Sequence, residues 1–187
     1  MTSTRVKKPH NSLQVRLDDL LEYEPITKNQ EVTYDAWEED YNLVLTGSAG
    51  TGKTFMGMYL GLEQVLDPDS AQDRLVIIRS MVPTRDMGFL PGTKEEKEDA
   101  FTSPYKNIAA ELFGDNNSWN RALSTKKIQF ESTSFIRGLT LDYSVILVDE
   151  MQNLSFHELD SVITRVGKGS RIIFAGDYLQ SDFTRSD

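Results

Sequence analysis

The residues best suited to chemistry fall in the run Gly47-Ser48-Ala49-Gly50-Thr51-Gly52-Lys53-Thr54, which satisfies G-x-x-x-x-G-K-[ST]. Glycines at these positions permit backbone geometries that a Cβ blocks, so that successive N–H groups can turn toward phosphate oxygens. A helix starting at Lys53 adds uncapped amides and the positive end of its dipole. Lys53 is then expected to reach the β- and γ-phosphates of ATP, and the Thr54 hydroxyl to ligate Mg²⁺. About a hundred residues later, Val145-Ile146-Leu147-Val148 runs into Asp149-Glu150. Two carboxylates at the end of an apolar strand suit a water-mediated grip on Mg²⁺ by Asp149. Glu150 is then the base that polarises the attacking water.

A third arrangement of the same kind is Ile172-Ile173-Phe174-Ala175-Gly176-Asp177, with Gln180 three residues on. An amide there suits contact with both the γ-phosphate and the attacking water, and Asp177 joins the nucleotide-binding set; a plain turn built on Gly176-Asp177 is the lesser alternative. Hydrolysis also needs a cation on the developing charge. Arg79, Arg85, Arg137 and Arg165 are the candidates. Arg137 beside Gly138 and Arg165 near Gly167 are read at element ends. Gln30, about twenty residues before the glycine loop, has an amide able to pair with adenine N6 and N7, and is also an ordinary exposed helix residue.

The elements that must position these groups alternate. Tyr41–Thr46, Arg74–Arg79, Lys127–Glu131, Ser144–Val148 and Arg171–Ala175 read as strands. Residues 13–24, Asn29–Glu39, Lys53–Leu66, Pro104–Phe113 and Phe156–Val166 read as helices. Residues 1 to about 12 read as a mobile leader, 80–100 as a long functional loop and Gly114–Ser118 as a turn. Alternation of this kind predicts an α/β fold, a mainly parallel sheet with helices on both faces.

Composition narrows the class. A chain of 187 residues with 39% hydrophobic content supports one α/β domain with a real core. There is no cysteine, which excludes disulfides and thiol chemistry and fits a reducing compartment. The histidines, His10 and His157, are too far apart to suggest a metal site. No apolar run suggests a signal peptide or a membrane span, so a cytoplasmic location is expected. The net charge of -9 gives no general attraction to nucleic acid.

Four runs carry a family resemblance: TGSAGTGKT, RSMVPTRDMGFLPGTKEEK, FIRGLTLDYSVILVDEMQN and TRVGKGSRIIFAGDYLQSDF. Over roughly residues 25–183 the chain resembles the PhoH-like ATPases, RecA-like proteins related to superfamily 1 helicases. Gly88-Phe89-Leu90-Pro91-Gly92 with Lys94 and Lys97, Arg137-Gly138-x-Thr140 and Asp149-Glu150-x-Gln152-Asn153 are the specific parts.

The resemblance implies that Gly47–Thr54 is the Walker A motif and Asp149-Glu150 the Walker B motif. It makes Gly176-Asp177 with Gln180 the γ-phosphate sensor and Gln30 an adenine reader. It implies ATP hydrolysis, coupling to unwinding of RNA or DNA, and assembly into a homo-oligomeric ring, a hexamer, in which one subunit completes the next one's site. This chain departs in having Ser80 after Arg79 and Leu139 between Gly138 and Thr140, where the family has proline and arginine. The family pattern runs on to a further arginine-bearing segment. A domain over 25–187 is therefore read as naturally short or C-terminally truncated, preceded by a leader and helix over 1–24. A nucleotide-dependent switch with negligible turnover and a small-molecule kinase are the competing readings.

Overall fold

The computed structural model describes residues 2–3, 14–80 and 94–177, with the backbone alone for 2–3 and 94–100. Arg85, Gln180, Gly88–Gly92 and most of the leader lie outside the described residues.

Five strands form one parallel sheet: β3 (Leu43–Thr46), β4 (Arg74–Arg79), β5 (Ile128–Ser132), β6 (Ser144–Val148) and β7 (Arg171–Gly176), in the spatial order β3-β7-β6-β4-β5. The register sets Leu45 beside Ala175, Leu147 beside Ile173 and Ile77 beside Leu147. A small antiparallel ladder, β1 (Thr2–Ser3) with β2 (Tyr23–Glu24), stands apart.

The near-continuous apolar runs of β4 and β6 follow from burial on both faces. Their period of two sorts them into two cores. Leu75, Ile77, Val145 and Leu147 face one cluster with α2 (Lys53–Leu66), while Val76, Ile78, Ile146 and Val148 face another with α5 (Phe156–Ile163). The expectation of a parallel sheet covered on both faces therefore holds. Among the described residues, no helix is long and apolar enough to cross a membrane.

Helix α2 carries the lysine of the glycine loop and packs on the sheet through glycines. A Cβ on Gly57 would come within 2.7 Å of Leu147 Cδ1, and one on Gly61 within 2.7 Å of Leu75 Cδ1. Two glycines one helical turn apart thus open a flat face, which sets the height of the helix N-terminus over the strand ends. Helix α1 (Lys28–Glu38) is fixed at its far end by Arg171, whose guanidinium lies 3.3 Å from the centre of the Trp37 ring. It donates to Trp37 O at 2.6 Å and Tyr41 O at 3.1 Å, satisfying carbonyls at the helix C-terminus.

Three expectations are corrected. Residues 14–24 form no α-helix, only a 3₁₀ turn at Leu17–Asp19 and β2. Tertiary bonds outcompete the helical spacing: Leu21 N donates to Leu112 O at 2.8 Å, and buried Asp19 accepts from Arg16 N and Arg121. The supposed 80–100 loop is already helical from Lys94, since α3 runs Lys94–Phe113 with Pro104 inside it rather than at its start. Beyond the Gly114–Ser118 turn a further helix, α4 (Ser118–Ser124), packs on α3.

Candidate nucleotide site

The carboxyl ends of β3, β6 and β7 open on one cavity of about 300 Å³, lined by loop residues Ala49, Gly50, Gly52, Lys53 and Thr54, with Asp149, Glu150, Gln152, Gly176 and Asp177 opposite. This is where open parallel sheets place ligands. A larger hollow, about 1160 Å³, follows the outer edge of β5 and shares no lining residue with it. The smaller one is the candidate site, because there the glycine loop at the start of α2 faces the acid-tipped ends of β6 and β7.

The loop is held by its own geometry. Gly50 and Gly52 adopt φ of 76° and 82°, which a side chain would resist. Gly52 caps α2 without any side-chain bond, so the first-turn amides keep no intrahelical acceptor. Lys53 Nζ closes the loop from within, donating to Gly47 O at 2.7 Å and Ser48 O at 2.8 Å.

Opposite, Thr54 Oγ1 donates to Asp149 Oδ1 at 2.8 Å, joining residues 95 apart in sequence. Asp149 is 5% exposed and its other oxygen accepts from the Tyr105 hydroxyl at 2.7 Å. Burial first, then the negative Asp149, push Tyr105 far above the ordinary phenol range, against a smaller opposite pull from Arg79. Glu150 takes the left-handed conformation, φ 52°, which costs a non-glycine residue energy. Its carboxylate accepts from Gln152 Nε2 at 2.5 Å, while Gln152 Oε1 accepts from Asp177 N at 3.0 Å. One amide thus ties the ends of β6 and β7 together.

The structure brings Ala49, Gly50, Gly52, Lys53, Thr54, Asp149, Glu150 and Asp177 to one cavity, with Gly47, Ser48 and Thr51 in the same loop. Gln30, Arg137 and Arg165 do not line it. Gln30 completes a capping box at the start of α1, its Oε1 accepting from Ile26 N at 2.8 Å and Thr27 N at 3.2 Å. Arg137 is exposed after β5, and Arg165 is half-buried beyond the end of α5. Two site residues had no role from sequence. Gln152 carried the signal of its place three residues after Asp149; Tyr105 carried none, being one aromatic in a helical stretch.

A neighbouring carboxylate locks the other strand ends. Glu158, on α5, accepts from Thr133 Oγ1 at 2.6 Å, Ser80 Oγ at 3.3 Å and Ser155 N at 2.8 Å, just past β5 and β4 and at the helix cap. Burial would raise this carboxyl, but the donors from Thr133, Ser155 and Ser80 outweigh it and hold it below its usual range. A depressed folded pKa stabilises the fold above the unfolded value, about 4.3, and that stabilisation fades as pH falls through the folded one. Glu158→Gln is expected to lower the melting midpoint at neutral pH by the equivalent of at most about 0.5 kcal/mol, because solvent screens this partly exposed carboxylate. Thermal melts at stepped pH should show the gap to wild type closing in acid. A gap that stays constant would mean that the charge on Glu158 contributes nothing.

A glycine-rich loop opening a helix, set against acid-tipped strands of a parallel sheet, is the arrangement of the P-loop class of α/β proteins. The family model described as PhoH-like protein matches residues 22–187, and the chain belongs to that family, which is P-loop ATPase-like. It is 39% identical over 151 residues to "Protein PhoH2" of Bacillus subtilis, covering 77% of this chain and 34% of that protein. A "PhoH-like protein" of Synechocystis is 36% identical over 142 residues, covering 73% of this chain and 41% of the relative. Another, of Mycobacterium leprae, is 31% identical over 159 residues, with 84% and 45% covered. The chain thus spans less than half the length of each of these relatives.

Proposed function

We propose that this chain binds Mg-ATP in the cavity between the glycine loop and Asp149, and hydrolyses it. The observation that carries this reading is the Thr54–Asp149 hydrogen bond, which joins the loop to the acid strand. These two groups are hard oxygen ligands that meet within one cavity, the set that suits magnesium with retained waters. Magnesium held there would neutralise charge on the phosphate oxygens.

The chain's own residues supply the rest. Lys53 exchanges Gly47 O and Ser48 O for phosphate oxygens. Free amides of the first α2 turn receive the remaining oxygens. Glu150 takes a proton from the water whose oxygen attacks the γ-phosphorus, and ADP departs with the bridging oxygen. Asp177 and Gln180 report the γ-phosphate to the end of β7. Gln30 reads the adenine edge, for which its Oε1 must leave the α1 cap.

In this reading the cycle is coupled to remodelling of single-stranded RNA or DNA by a homo-oligomeric ring of cytoplasmic subunits, a hexamer. Arg137 and Arg165, outside the cavity of their own subunit, then serve across the interface.

Phosphate release assayed with magnesium, with chelator and against a panel of RNA and DNA strands tests this. Turnover that requires magnesium and rises with single strands is expected, with particle mass measured alongside. ATP binding with no turnover under any condition would leave a nucleotide switch, and transfer to an added acceptor a kinase.

A further inference from the structure

Asp149 is held from both sides, and only one of its partners belongs to the phosphate loop. Thr54 takes Oδ1, and the hydroxyl of Tyr105, a residue of α3, takes Oδ2 at 2.7 Å. Tyr105 has no exposed surface. Its ring stacks on Trp119 with centroids 6.2 Å apart and lies 5.5 Å from Phe130, so its two side-chain torsions are fixed by packing. A carboxylate oxygen has two lone-pair sites. With one on each oxygen committed, the carboxylate plane cannot turn, and the other sites remain for a ligand. A buried phenol that donates to a carboxylate carries no charge of its own, so it orients Asp149 without neutralising it.

We propose that Tyr105 is the positioning residue for the metal-holding carboxylate, fixing Asp149 in the orientation that binds magnesium with the nucleotide. This rests on the Mg-ATP reading above. Partners one step removed from a metal typically govern its affinity by 10–100-fold, although they never touch it.

Tyr105→Phe keeps the ring and removes only the hydroxyl. Binding of a fluorescent ATP analogue is followed at increasing magnesium, with thermal melts of the ligand-free protein in parallel. The magnesium midpoint is expected to rise about 10–100-fold, while magnesium-free nucleotide affinity stays within about two-fold of wild type. A lowered melting point with an unchanged magnesium midpoint would make Tyr105 a packing residue and overturn the proposal alone. Wild-type protein with no nucleotide affinity would overturn the functional reading and this proposal together. If the phenylalanine form does not fold, Tyr105→Met, a flexible apolar filler without a hydroxyl, is held to the same midpoint shift.

Discussion

Glu150→Gln is expected to lower ATP turnover by about 10²–10⁴-fold, the range supplied by a positioned general base, while nucleotide affinity stays within a few-fold. The substitution is close to isosteric, so the left-handed backbone at φ 52° is asked to hold a side chain of the same shape. The carbonyl of the new amide still accepts from Gln152 Nε2, so the link through Gln152 to Asp177 N survives. What is lost is the negative charge and the capacity to take a proton from water. Phosphate release and nucleotide titration on the same preparation separate the two effects. Turnover within a few-fold of wild type would remove Glu150 from the base role and favour a reading without water activation by this residue.

Strand ends were the most legible part of the chain, and the reason is physical. Burial on both faces forces the middles of β4 and β6 to be apolar runs, with charge confined to the strand ends or beyond; Arg74–Arg79 and Ser144–Val148 are found as read. Helix α2 is found as read, Lys53–Leu66, because a glycine loop starts it and Pro68 follows it. Groups that depend on tertiary neighbours were not legible. Leu17, Leu20 and Leu21 have helical spacing, yet the segment is drawn out by bonds to α3 and Arg121. The start of α3 is charged and follows a stretch rich in glycine and proline, so no apolar period marks it. Tyr105 reaches Asp149 only because α3 folds over the end of β6, and no spacing announces a partner 44 residues away.

The site's residues act through the joints between strand ends. Gln152 spans β6 and β7, Glu158 clasps the segments after β4 and β5, and Thr54 bonds Asp149 across the cavity. In the proposed reading, a nucleotide entering between the loop and Asp149 meets cavity groups already fixed relative to one another, with Lys53 the exception. Lys53 is spent on its own loop, and its two bonds to Gly47 O and Ser48 O must break before it can serve a phosphate.

That exchange is why Lys53→Ala is expected to separate stability from function. The bonds lost in the ligand-free protein are made by a partly exposed side chain to loop carbonyls that water can serve, so the melting point should move by no more than the equivalent of about 0.5 kcal/mol. In the nucleotide complex proposed above, the same side chain exchanges those carbonyls for the β- and γ-phosphates and is their cation. Removing one such donor costs about 10²–10³-fold in turnover, together with weakened nucleotide binding. Steady-state phosphate release, nucleotide titration and thermal melts on one preparation give the three readouts. An alanine form that melts like wild type and hydrolyses ATP as fast would show that the lysine supports neither the loop nor the phosphates, and the phosphate cradle would have to be sought elsewhere.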